Sequence, residues 1–291
     1  MILVTGASGT VGTEVSNMLA GAEIEFRAIV HRTEKPKVFR RPNVQSVHAD
    51  YEDPGSILNA MQNVDTVFML APAGPKMVDH ERAITDAAIR SGVRRIIKLS
   101  VFGASPFSPI SIIRNHWYSE KYVEHSGIQF TFVRPNYFMQ NLLRQAANIA
   151  TERKIYAAMN GGRVSMIDAR DIAAVAVALL RKGGYENRVV EITGREGITY
   201  EEAAEDLSGA TGRHISFVNM SMEQFQESLQ RSGMPQSAVE DMVEFQKCYR
   251  AGYAAAVTPF VELITGHESI PFAQFAHDYA DEFTGEEMAA A

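Results

Sequence analysis

The turn Gly6-Ala7-Ser8-Gly9-Thr10-Val11-Gly12 constrains this chain more than any other segment. Three glycines at this spacing arise by chance in a chain of such length with a probability on the order of 0.1, so the spacing alone decides little. Its position decides more. The apolar run Ile2–Val4 precedes it directly and the helical pattern Val11–Ala20 follows it directly. In a strand–turn–helix, Gly6 permits the tight turn, Gly9 lets backbone approach an anion without a Cβ, and Gly12 lets helix and strand pack closely. The N–H groups at the helix start, backed by the helix dipole, then attract a pyrophosphate. Gly6, Ser8, Gly9, Thr10, Val11 and Gly12 are therefore expected to cradle a dinucleotide; the alternative is a glycine-rich turn without a ligand.

The same alternation continues along the chain. Ile2–Thr5, Phe26–Val30, Val44–His48, Thr66–Leu70, Arg95–Ser100, Phe130–Arg134 and Arg188–Thr193 read as strands. Between them lie helical patterns at Val11–Ala20, from Asp53-Pro54 to Met61, at Met77–Ser91, Asn115–Ser126 and Ala169–Arg181. Asp53-Pro54 pairs an N-cap with a proline at the first helical position, and Gly92 and Gly127 are natural stops. Strands and helices alternating at this spacing demand right-handed crossovers and a parallel sheet covered on both faces. The expected fold class is α/β, a Rossmann-type doubly wound parallel sheet with a smaller, mainly helical C-terminal annex. The capping box Thr199-x-x-Glu202 opens a further helix toward Gly212. One short strand, Ile215–Asn219, then precedes helical patterns at Met222–Ser232, Ser237–Ala255 and Phe272–Phe283. The expected division is 1–195 for the nucleotide-binding domain, with excursions, and 196–291 for an annex packed on that core.

About 20 residues beyond the glycine turn, a dinucleotide site for NAD places an acid on the ribose. Here the second strand ends in His31-Arg32-Thr33 with Lys35 close by, and no acid occupies the tip. A guanidinium there pairs bidentately with a 2′-phosphate, so the expected cofactor is NADP(H), held in part by His31, Arg32 and Lys35. Asp50-Tyr51, after the third strand, is where the adenine edge would be read, although Asp50 also suits a turn before a helix.

The stretch His31–Arg41 is the one dense basic run, and its place at a strand tip favours a cofactor phosphate or plain solvation over nucleic acid. With 28 Lys+Arg against 35 Asp+Glu, the formal charge of -7 offers no general attraction to polyanions. Cys248 is the only cysteine, which excludes an intrachain disulfide and a cysteine-built metal site. No metal is expected. The opening residues read as a strand rather than a signal peptide, and no run reaches about 18 apolar residues, so a cytoplasmic protein without a membrane partner is expected. Its state is expected to be monomer or homodimer.

The residues that open the chain, MILVTGASGTVG, together with Val30-His31-Arg32, His48-Ala49-Asp50-Tyr51 and the His116…Glu120 helix, belong to a wider pattern. With the run from Thr131 to Asn141, TFVRPNYFMQN, and Ser165–Ala173, SMIDARDIA, they resemble the NmrA-like branch of the atypical short-chain dehydrogenases/reductases. The layout is similar to the NADPH-dependent azoreductases, triphenylmethane reductase and type 2 quinone oxidoreductases of that branch. The resemblance implies NADPH under the first helix, nicotinamide near the ends of the fourth and fifth strands, and a substrate pocket closed by the annex 196–291. By that resemblance Leu70, Ala71, Pro72, Ser100, Val101, Phe102, Pro135, Asn136, Tyr137 and Phe138 belong to the cofactor site. The branch holds both enzymes and cofactor-sensing regulators, so it leaves the reaction open.

Typical short-chain dehydrogenases carry Tyr-x-x-x-Lys, in which the lysine lowers the tyrosine pKa. This chain departs from that pattern: Tyr118 is followed four residues later by Tyr122, and Lys121 falls on another register. His116 and Glu120 stand at i and i+4, so the carboxylate is expected to orient the imidazole and raise its pKa, making His116 the candidate proton donor. The plain alternative is a solvated or cofactor-contacting histidine with a surface glutamate. Without a strong acid, the fitting chemistry is hydride delivery to an acceptor that spreads the new charge itself: a quinone, azo bond, iminium ion or cationic dye. Phe102, Trp117, Pro135, Tyr137 and Phe138 would supply the flat apolar walls, or are ordinary core. An enzyme of this kind is the leading expectation and a non-catalytic NADP(H) sensor the second.

Overall fold

The computed structural model describes residues 1–30 and 37–285. By its contacts the chain groups into two compact units, one comprising Met1–Pro135, Ala169–Ile192 and Phe260–Gly266, the other Asn136–Asp168, Thr193–Pro259 and the chain from His267 onward. These units interleave along the sequence. The interleaving arises because the chain leaves the first unit after its sixth strand and returns at 169 to add one more helix and strand.

The first unit runs β1 (Ile2–Val4), α1 (Thr10–Gly21), β2 (Phe26–Ile29), β3 (Val44–Val47), α2 (Pro54–Ala60), β4 (Thr66–Met69) and α3 (Met77–Arg90). It continues with β5 (Arg95–Leu99), α4 (Ser111–Glu124) and β6 (Gln129–Pro135). The second unit supplies α5 (Ala146–Glu152) and β7 (Lys154–Ala157) before the first resumes with α6 (Ala169–Lys182) and β8 (Arg188–Ile192). Then come α7 (Tyr200–Thr211), β9 (Ser216–Asn219), α8 (Met222–Arg231) and α9 (Gln236–Arg250) in the second unit, α10 (Phe260–Thr265) in the first, and α11 (Phe272–Asp278) and α12 (Ala280–Thr284) in the second.

In the first unit seven parallel strands are ordered β3-β2-β1-β4-β5-β6-β8. The order reverses between β1 and β4, and the crevice outside the carboxyl ends of strands at such a switch point is where open α/β sheets bind ligands. β2 and β4 are buried along their whole length, as strands covered on both faces must be. On one face α2, α3 and α4 pack in series over Leu3, Ile29, Val67, Met69 and Ile96. α1, α6 and α10 pack beside one another. Asp53 caps α2 by accepting from the Gly55 amide at 2.9 Å, with Pro54 at the first helical position.

The second unit is mainly helical and carries a two-stranded parallel ribbon, β7-β9. Its core gathers Met139, Leu142, Ile149, Ile155, Leu207, Phe272, Phe275 and Phe283. The Thr199/Glu202 capping box forms at the start of α7. β7, α5 and α10 lie in stretches to which the sequence pattern assigns no element, and α4 starts four residues ahead of the expected Asn115.

Candidate active site

The glycine turn has the geometry of an anion cradle, and its three glycines are needed for different reasons. Gly6 adopts φ +59°, and a Cβ there would meet the Leu70 carbonyl oxygen at 2.7 Å. At Gly12 a Cβ would sit 2.1 Å from the Gly6 oxygen, inside the backbone of the turn itself. Gly9 is different: its only neighbour would be the Gly6 oxygen at 3.4 Å, an ordinary contact. The protein therefore requires Gly6 and Gly12 for its own packing and leaves the space beside Gly9 open. Ser8, Gly9 and Thr10 are exposed, while Val11 and Gly12 are buried against the sheet. Gly9 is the N-cap of α1 and supplies no side-chain cap, so the first-turn amides face the opening with the helix dipole behind them.

Two side chains brace this turn. Thr5 is buried and its hydroxyl donates to the Leu70 carbonyl at 2.9 Å while accepting the Leu70 amide at 2.8 Å, joining the ends of β1 and β4. Tyr51, 4% exposed, accepts the Gly6 amide on its hydroxyl at 3.0 Å. Burial pushes the Tyr51 phenol above its ordinary pKa, opposed by the bonds to Gly6 and Thr5. Tyr51 is thus a prop for the turn, and Asp50, exposed, organises the turn before α2 by accepting the Glu52 amide at 2.9 Å. His31, Arg32 and Lys35 lie outside the described residues.

At the ends of the middle strands, Ala71 is buried, Leu70 half-buried and Pro72 exposed. Ser100 is buried, and Val101 and Phe102 are half-buried just past β5. The Phe102 amide donates to the Pro135 carbonyl at 2.9 Å, which holds this loop to the end of β6. In the second unit the Asn136 side chain is engaged by the protein: its Nδ2 donates to Ser165 Oγ at 2.8 Å and the Ala254 carbonyl at 2.9 Å, and its Oδ1 accepts the Tyr137 amide at 2.8 Å. Tyr137 and Phe138 are half-buried there, with Tyr137 edge-on to Tyr249.

The structure does not bring His116 and Glu120 together as a pair. Glu120, 1% exposed, accepts from Arg134 Nε at 2.8 Å and Nη2 at 2.6 Å and from Ser100 Oγ at 2.6 Å. Its carboxylate is committed to β5 and β6 rather than to its own helix. His116 instead lies 3.1 Å through Nδ1 from Lys98 Nζ. Lys98 is fully buried on β5 and contacts Glu81 Oε1 at 3.0 Å and Oε2 at 2.8 Å, with the Leu99 carbonyl at 3.2 Å. Desolvation, then Lys98, then Arg134 hold the His116 pKa well below its ordinary 6.5, the reverse of the direction expected from a glutamate partner. Two cations outweigh a carboxylate that is already engaged elsewhere. Tyr118 is nearly half exposed, and the Tyr122 hydroxyl donates to Asp86 on α3, so neither occupies the place of a lysine-activated tyrosine.

Lys98 and Glu81 were missed from sequence. The signal was present in Arg95-Ile96-Ile97-Lys98-Leu99: a lysine inside a strand buried on both faces has to bring a counter-charge with it.

With this geometry in view, the comparisons with known proteins are specific. The model of the NmrA-like family matches residues 1–264. The chain belongs to the NmrA-like family. An NAD(P)H azoreductase of Xenophilus azovorans is 37% identical over 97% of this chain and 99% of its own length. A (4-alkanoyl-5-oxo-2,5-dihydrofuran-3-yl)methyl phosphate reductase of Streptomyces griseus is 35% identical over 98% of this chain and all of its own. Among solved structures, the Escherichia coli NADPH-dependent quinone oxidoreductase QOR2 complexed with NADPH superposes with a TM-score of 0.86 at 23% identity, covering 96% of this chain and 99% of that one. This NmrA-like chain thus shares its fold over nearly its whole length with a protein that binds NADPH.

Proposed function

We propose that this chain is an NADPH-dependent oxidoreductase of the atypical short-chain type, working in the cytoplasm, that delivers hydride to a planar, electron-poor acceptor such as a quinone, an azo compound or an iminium ion. The observation that carries the reading is Gly9: it is the one glycine of the turn whose missing side chain the protein does not itself require. A space kept open beside uncapped helix amides at a sheet's switch point fits a pyrophosphate. The azoreductase and phosphate-ester reductase relatives support the reaction class.

When bound, NADPH supplies the hydride. The protein's residues do the rest. Amides of the turn and of the first turn of α1 would hold the pyrophosphate, with Thr5 and Tyr51 keeping the turn in shape. Arg32 and Lys35 would be the cations for the 2′-phosphate. The segments Leu70–Pro72 and Ser100–Phe102 would border the nicotinamide, and 196–291 would serve substrate recognition. Among the described residues of α4 no lysine-activated tyrosine stands, so the acceptor itself would bear the negative charge that hydride addition creates.

Steady oxidation of NADPH in the presence of quinones and azo dyes is the test. Turnover with at least one acceptor, faster with NADPH than with NADH, is expected. Replacing Arg32 by Ala is expected to cut the preference for NADPH about ten-fold, the worth of one charge-assisted contact. Tight NADPH binding with no turnover of any acceptor would overturn the enzymatic reading in favour of a cofactor sensor.

A further inference from the structure

The first unit buries a chain of charges that the cofactor cradle does not use. Glu81 comes from α3, Lys98 from β5 and His116 from α4, and all three meet on one face of the sheet. Next to them Glu120 of α4 binds Arg134 of β6, which also reaches Glu191 of β8 at 3.3 Å. Lys98 and Glu81 are 0% and 1% exposed. Replacing such a pair by apolar residues is commonly neutral or stabilising, so stability gives little reason to keep it.

The geometry at His116 gives a reason. An ammonium has three donors and no acceptor. Lys98 Nζ, 3.1 Å from His116 Nδ1, can only donate, so Nδ1 must present its lone pair and the ring proton must sit on Nε2. No partner for Nε2 occurs among the described residues. The ring stands in the N-terminal half of α4, the helix that leaves the carboxyl end of β5, where Ser100 and Phe102 follow the strand. That is the end of the sheet where the proposed cofactor site lies.

We propose that the buried Lys98–Glu81 pair fixes His116 as the Nε2–H tautomer, so that the imidazole meets the substrate as a neutral hydrogen-bond donor. Lys98 and Glu81 are positioning residues; His116 touches the acceptor. The inference rests on the oxidoreductase reading given above. When hydride adds at one end of a quinone or azo bond, negative charge grows on the oxygen or nitrogen at the other end. A fixed N–H aimed at that atom steadies the charge as it develops, as a neutral imidazole can do when its environment denies it a second proton. His116 gives up no proton, and water protonates the reduced product. The groups facing the ring all bear on this: Lys98 from β5 and Arg134 from β6 oppose a second proton. Glu81 of α3 is neutralised by Lys98, Asp86 of α3 is engaged by Tyr122, and Glu120 on the same helix is held by Arg134.

The test reads the imidazole directly. In nitrogen-15 NMR, with His116 assigned by its loss in His116→Gln, the parent is expected to show the Nε2–H tautomer with no titration midpoint between about pH 6 and 8. Lys98→Met alone strands the Glu81 carboxylate and could unfold the unit, so the companion variant is Glu81→Gln/Lys98→Met, which removes both charges. There the tautomer preference is expected to vanish and the ring to titrate inside that window. In NADPH oxidation, His116→Leu is expected to lose about 10²-fold in kcat, the scale of one oxyanion donor, and His116→Gln, whose amide still donates, to lose much less. The parent kcat profile should show no imidazole step. Titration of His116 inside that window in the parent, an Nδ1–H tautomer, or full activity in His116→Leu would each overturn the proposal. If the NMR result holds but no acceptor is turned over, the oxidoreductase reading fails and the tautomer assignment stands.

Discussion

The Tyr51 hydroxyl accepts the Gly6 amide at 3.0 Å across 45 residues of chain, so the turn after β3 and the turn after β1 are one structure. The phenol thereby holds the backbone of the glycine turn in place. It also explains why a tyrosine, rather than any apolar residue of similar size, stands there.

Tyr51→Phe keeps the ring packed against His80 but leaves the Gly6 amide without its acceptor. The loss is expected to cost about 1 kcal/mol of stability and to weaken NADPH binding several-fold as the turn loosens. Titration of NADPH against parent and variant checks it, and unchanged affinity would remove Tyr51 from the cradle.

Substitutions at the glycines should separate folding from binding. Gly12→Ala places a methyl 2.1 Å from the Gly6 oxygen and is expected to disrupt the turn and lower the denaturation midpoint. Gly9→Asp meets no such obstacle, so it is expected to fold with near-parental stability yet lose NADPH binding through a side chain and a negative charge at the pyrophosphate position. A Gly9→Asp protein that binds NADPH as the parent does would place the pyrophosphate elsewhere.

The Glu120–Arg134 pair makes a structural prediction. Arg134→Met leaves a buried carboxylate, 1% exposed, with only the Ser100 hydroxyl, and is expected to destabilise the first unit by about 3–5 kcal/mol. Glu120→Gln/Arg134→Met is expected to recover most of that loss, because no orphan charge remains. Chemical denaturation of the two variants reads the difference.

The strand–turn–helix at Gly6 and the strands from β1 to β6 were legible because their signals are local: an apolar run, a glycine spacing, a cap such as Asp53. What escaped has non-local causes. Helical spacing put Glu120 beside His116, and the inference that they pair was sound for an isolated helix, but Arg134, in β6, offers two donors that a histidine cannot match. The sequence does not show which acid Lys98 meets; its partner Glu81 lies on α3, 17 residues earlier in the chain. β7 was invisible because its pairing partner β9 lies some sixty residues on, in a ribbon with no alternating pattern of its own.

The depressed pKa of His116 carries a consequence for stability. In the unfolded chain the imidazole binds a proton near its ordinary 6.5, whereas in the folded protein desolvation, Lys98 and Arg134 keep it neutral to well below that value. Well above 6.5 both states are neutral and the group contributes no pH dependence. As pH falls below 6.5 the unfolded state takes up a proton that the folded state refuses, and stability is lost down to the folded pKa, at a rate of at most about 1.4 kcal/mol per pH unit for one group. Had Glu120 raised the pKa, protonation would have favoured the folded state and the slope would run the other way. Denaturation midpoints of the parent and of His116→Gln, measured from about pH 7.5 down to 5, decide between the two: the parent is expected to lose stability more steeply than the variant across that range. A variant that loses more than the parent would mean that His116 becomes charged in the folded protein, and would return it to the role of an acid.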